Sequence, residues 1–166
     1  MIRTLIFLLF SIAPTFVHAQ DFDLKNSKDW TLVKGNDGEG CFATISVGLK
    51  SVRSGLVTVS LFPRNQSEGS DVPAVMSVQV PLGASLPSGI AYTHRRDNTA
   101  VGLAWQYCTD RTCVASGGVS SEELTKLKRG ARIYLGFVPL PGSASLVVPV
   151  SLQGITKVWN EVQACG

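Results

Sequence analysis

Residues 105–114 read Trp105-Gln-Tyr-Cys108-Thr-Asp-Arg-Thr-Cys113-Val114. Two cysteines flank a polar tip, with apolar strand-forming residues on both sides, which is the pattern of an antiparallel hairpin stapled across its own turn. A short-range disulfide of this kind belongs to an oxidising space. It also sets the expected fold, because the sequence on either side continues in the same manner.

Upstream, Trp30–Val33, Cys41–Val47, Leu56–Phe62 and Val75–Val80 are short runs rich in β-branched and aromatic residues, separated by Gly, Asn, Ser and Pro clusters. Ile90–Thr93 and Val101–Tyr107 follow, joined through the polar turn Arg95-Arg96-Asp97-Asn98, and Thr112–Ser116, Ala131–Val138 and Leu146–Ser151 complete the set. Alternation is plain in Leu56-Val-Thr-Val-Ser-Leu61. One helix is expected after Ser120-Ser-Glu-Glu123, a capping box, with Leu124 and Leu127 on one face and Gly130 ending it in the left-handed conformation. A second helical segment covers residues 155–162. The expected architecture is all-β: β-sandwich-like antiparallel sheets with one or two short helices.

The N-terminus carries a leader pattern. Arg3 gives a positive start, Leu5 to Phe10 an apolar centre, and Val17-His18-Ala19 the small residues of a cleavage site. Its apolar run is about half the ~20 residues that span a bilayer. Residues 1–19 are therefore expected to be removed, leaving residues 20–166 as one β-rich domain with no transmembrane segment. Periplasmic or secreted localisation follows. The net charge of +3 falls to +2 with Arg3 lost, which is no footprint for nucleic acid. Lys126, Lys128, Arg129 and Arg132 cluster at the expected helix end, where cations suit the helix dipole.

Four cysteines allow three pairings, and sequence does not choose among them. Hairpin geometry favours Cys108 with Cys113, a ring stabilising by about 2 kcal/mol on the loop-entropy model. Cys41 and Cys165 remain, and would close about 125 residues for nearly 5 kcal/mol on the same model. No Cys-x-x-Cys occurs, so no metal site is expected. His94 is the one histidine after the leader, and flanking Arg95 and Arg96 would weaken it as a base. Nucleophile elbows, phosphate-cradling loops and His-Glu-x-x-His helices are missing. Neither catalytic residues nor a cofactor are expected.

The order of short motifs resembles the invasion-associated locus B family of exported proteobacterial proteins. Asp29-Trp30 stands at the start, followed by Gly40-Cys41-Phe42 and then Pro81-Leu-Gly83-Ala-Ser-Leu86-Pro-Ser-Gly89. The stapled hairpin comes next, then Leu127-Lys-Arg-Gly130 and Ser151-Leu-Gln-Gly154-Ile155. Family members usually carry a further cysteine just after the tryptophan. Here that region is Thr31-Leu-Val-Lys34, which leaves Cys165 as the natural partner of Cys41. The motif residues read as structural: Pro81 ends a strand, Gly83 allows a tight turn, Leu86 packs beneath it, and Gly89 releases the chain.

The resemblance implies a non-catalytic interaction module linked to host-cell invasion or colonisation, with a protein partner in the envelope or on a host cell. Arg95, Arg96, Asp97 and Asn98, with residues 66–72, are the expected partner-binding segments. The alternative is a periplasmic hydrolase with an acid-based site that sequence does not reveal. A cleft holding two perturbed carboxylates would mark that alternative. A flat face or an unpaired strand edge would mark the module.

Overall fold

Strict alternation builds the sheet. Strand β3 (Cys41–Leu49) buries Cys41, Ala43, Ile45, Val47 and Leu49 and turns Phe42, Thr44 and Ser46 outward. The same period of two sorts β4 (Gly55–Pro63) and β5 (Ala74–Pro81) into a buried apolar face and an outer one. The computed structural model describes residues 24–26, 29–35, 40–49, 55–64, 71–94 and 100–165. Its other strands are β1 (Leu24–Asn26), β2 (Thr31–Lys34), β6 (Ile90–Thr93), β7 (Val101–Cys108), β8 (Thr112–Val119), β9 (Arg132–Phe137) and β10 (Leu146–Ser151).

All pairings are antiparallel, in the order β1-β3-β4-β5-β8-β7-β6-β9-β10, with β2 on the same flank of β3 as β1. The fold is thus all-β. The two layers expected of a sandwich are parts of one continuous sheet that curls like a half-barrel, bringing β10 back towards β3. Helix α2 (Ile155–Gln163) packs against β2 and β3, burying Ile155, Val158, Trp159 and Val162. Trp159 is wholly buried, and truncating such a side chain costs ~3–5 kcal/mol. Helix α1 (Ser121–Arg129) buries Leu124 and Leu127 and rests on α2. The seam is closed by Trp30, whose Nε1–H donates to the Ser151 carbonyl at 2.8 Å.

Both disulfides join the expected partners: Cys108 with Cys113, and Cys41 with Cys165, whose Cα atoms are 5.9 Å apart. The second ties β3 to the chain just beyond α2. Between β5 and β6 the chain must pass the β7–β8 hairpin. The Leu82 N–H donates to Arg111 O at 3.0 Å, and the Ser85 N–H to Val138 O at 2.9 Å. Pro81 ends β5, and Gly83 takes a positive φ of 106° as its turn requires.

Two expectations need correction. Leu86 opens a 3-10 turn (Leu86–Ser88) with no buried residue and is 43% exposed, and Ala84 is the buried apolar residue of this stretch. Gly130 is extended, with φ −75° and ψ 157°, and does not end α1 in the left-handed conformation. Space explains this glycine. A Cβ there would lie 2.8 Å from Leu152 Cδ1 and 3.0 Å from the Lys126 carbonyl oxygen.

Candidate binding face

Residues 95–98, which include Arg95, Arg96, Asp97 and Asn98, lie outside the described residues, as do residues 66–70. Their anchors are described. Val72 sits over β8, where a Cβ on Gly118 would come within 2.9 Å of Val72 Cγ1. His94 ends the run Ile90, Tyr92, His94 on one face of β6 and its continuation, and so turns towards α1. Val72 and His94 therefore lie at the same end of the sheet, beside α1.

His94 does not behave as the solvated turn residue its arginine neighbours suggest. It is half-buried, and its Nε2–H donates to Glu123 Oε1 at 2.6 Å. Glu123 would complete the capping box by reaching back to Ser120; only the forward half is made, with the Glu123 N–H donating to Ser120 Oγ at 3.2 Å. Tyr92 stands edge-on to His94, ring centroids 6.2 Å apart. Burial pushes its hydroxyl pKa well up, and the neighbouring Glu123 carboxylate adds to this. Glu122 pairs with Lys126 at 2.7 Å, and that hydrogen bond holds its carboxyl below the usual carboxylate range. These two adjacent glutamates are thus both engaged, one with a histidine and one with a lysine. The period-two signal from Ile90 through Tyr92 could have placed His94 on the inward face.

The outer face is assembled from β2 to β5 and β8, with Tyr107 of β7 at its margin, and cross-strand register decides what lies there. One row runs Val33, Phe42, Phe62, Val75 across β2 to β5, and the rings of Phe42 and Phe62 stack with centroids 4.6 Å apart. The next row is hydroxyl throughout: Thr31, Thr44, Ser60, Ser77 and Ser116. Thr44 Oγ1 and Ser60 Oγ are hydrogen-bonded at 3.0 Å, which helps explain how Ser60 can be only 8% exposed. A third row carries Ser46, Thr58, Gln79, Val114 and Tyr107. None of these side chains is charged. Solvated sheet faces ordinarily alternate outward to charged residues as well as to hydroxyls.

Tyr107 reaches this face through a bulge. Trp105 pairs with Ala115, but Tyr107 pairs with Val114, so Gln106 is an extra residue and the sides exchange beyond it. Trp105 packs against the core, while Tyr107 is 60% exposed. Beyond Leu103, β7 has β8 on one side and no strand on the other among the described residues. The stapled hairpin therefore presents an unpaired edge beside the charge-free face.

No group of His, Cys, Asp and Glu side chains able to hold a metal occurs among the described residues. Nor is any described helix long and apolar enough to cross a membrane. Among curated proteins the chain finds no match. Among solved structures it is similar to the crystal structure of invasion associated protein B from Bartonella henselae. The two are 18% identical, with a TM-score of 0.66, over 81% of this chain and 92% of the other. That likeness shows the fold, the curled sheet with its two short helices. The model of the Invasion associated locus B protein family matches residues 30–163, from the buried Trp30 to the last turn of α2. On that match, the chain belongs to the invasion-associated locus B family.

Proposed function

We propose that this protein is an exported binding module of the bacterial envelope, acting through the outer face of β2 to β5 and β8. The observation that carries this reading is the absence of charge across three rows of that face. Interface centres are depleted of charged residues relative to the rest of a surface. Two disulfides suit an oxidising space, in keeping with export. In this reading the partner lies in the envelope or on a host cell, and a role in invasion or colonisation is part of the proposal, supported by the description of the family to which the chain belongs.

In-cell photo-crosslinking tests the reading. A photoreactive residue at Ser77, in the middle of the face, is expected to give an adduct of raised mass, discrete or spread over a range of sizes, and one at the exposed Thr125 on α1 is not. No adduct at 77, or the same adduct at both positions, overturns it.

A further inference from the structure

We propose that the ligand of this face is a neutral polysaccharide chain. The inference rests on the reading of the face as a binding surface and goes on to its chemistry. Serine, threonine and glutamine side chains both donate and accept hydrogen bonds without carrying charge. Sugar hydroxyls have the same double capacity. A peptide rich in charges, a nucleic acid or an anionic lipid would lose hydration here and find no counter-charge.

The aromatic groups stand where a glycan needs them. The Phe42–Phe62 stack lies on one side of the hydroxyl row, and Tyr107 lies beyond its other side. The C–H faces of sugar rings are apolar and settle on aromatic rings, while their rim hydroxyls reach the polar row between. Strands ~4.8 Å apart make the row from β2 to β8 ~19 Å long. That length suits an oligosaccharide. Among the described residues nothing encloses this face, unlike the concave sites that enclose single small molecules.

Area argues against a second copy of this chain. Three rows ~7 Å apart and ~19 Å long cover roughly 400 Å² or less. Two such faces together would bury under ~1,000 Å², short of the ~1,200–2,000 Å² of stable interfaces. The outer side of a curled sheet is also convex, so two copies would touch over less than that.

The test titrates the disulfide-bonded protein with cellohexaose, chitohexaose and mannohexaose, with heparin as the anionic control, following backbone amides by NMR. At least one neutral hexasaccharide is expected to shift Phe62, Ser77 and Tyr107 saturably, and heparin is not. Phe62→Ser and Tyr107→Ser each weaken binding about tenfold. Ser77→Lys abolishes it while thermal unfolding stays close to that of the parent. No saturable shift with any neutral sugar, or shifts indifferent to Ser77→Lys, overturns the assignment. So does a dimer that Ser77→Lys dissociates. If the sugars fail while the Ser77 crosslinker still captures one protein, the glycan falls and the binding face stands. If both fail, both readings fall.

Discussion

Replacing Gly130 by alanine separates two explanations of one residue. If the glycine were needed for backbone conformation, its φ would be positive; it is −75°, where alanine is comfortable. Conformation alone would make Gly130→Ala stabilising by ~0.4–1 kcal/mol, through loss of freedom in the unfolded chain. Packing gives the opposite sign. The new methyl would meet Leu152 Cδ1 at 2.8 Å and the Lys126 oxygen at 3.0 Å, and Leu152 is only 3% exposed. Overpacking of this kind costs ~1–3 kcal/mol, so the net expectation is a loss of about 1–2 kcal/mol. Leu152→Ala alone should cost ~2–5 kcal/mol by opening a cavity. In the double variant the methyl occupies part of that cavity, so the combined loss should fall short of the sum by ~1 kcal/mol or more. The Lys126 contact persists, and recovery is therefore incomplete. Urea unfolding followed by the fluorescence of buried Trp30 and Trp159 reads all four proteins. A neutral or stabilising Gly130→Ala, or additivity within ~0.5 kcal/mol, would refute the packing argument.

Three further outcomes are expected. Removing the Cys41–Cys165 bond with paired serines should cost up to ~5 kcal/mol, against ~2 kcal/mol for Cys108–Cys113, and denaturant midpoints on the two variants check the ranking. His94→Ala should cost ~1–3 kcal/mol by removing a half-buried, charge-assisted hydrogen bond, and Glu123→Gln added to it should cost less than it does alone. Equal costs in both backgrounds would show that the pair is not coupled. Tyr92 is raised above its unfolded value, so the neutral phenol is the form the fold favours. Its contribution is intact below ~10 and is lost as pH rises past that value. Tyr92→Phe should flatten the alkaline fall in stability, seen in thermal melts across pH 8–11, about the unfolded value.

Strand existence was legible because alternation is a local signal. Residues 41–47 and 56–61 announce their own faces, and Ser120 with Glu123 announces a helix start. Strand order was not, since β5 beside β8 depends on pairing across some thirty residues that carry no pairing code. The outer face stayed hidden for the same reason. Phe42 and Phe62 are twenty positions apart, and only the β3–β4 register makes them a stack. Gly130 misled because glycine after a helix usually serves conformation, and the close approach of Leu152 is a tertiary fact. His94 misled because neighbouring charge spoke louder than the alternation through Tyr92.

The Cys108–Cys113 bond is expected to stabilise less than Cys41–Cys165, yet its position bears on how fast the sheet can be completed. Strand β5 is made before its neighbour β8, and the segment between them must first yield β6 and β7. Until β8 arrives, β5 is an open edge, the kind of surface on which chains aggregate. A hairpin already closed by its disulfide can dock as a finished piece, sparing the search for one long-range pairing. The refolding rate should therefore fall when this bond is absent, with the unfolding rate little changed. A staple of lesser thermodynamic weight would then be kept as a timing device.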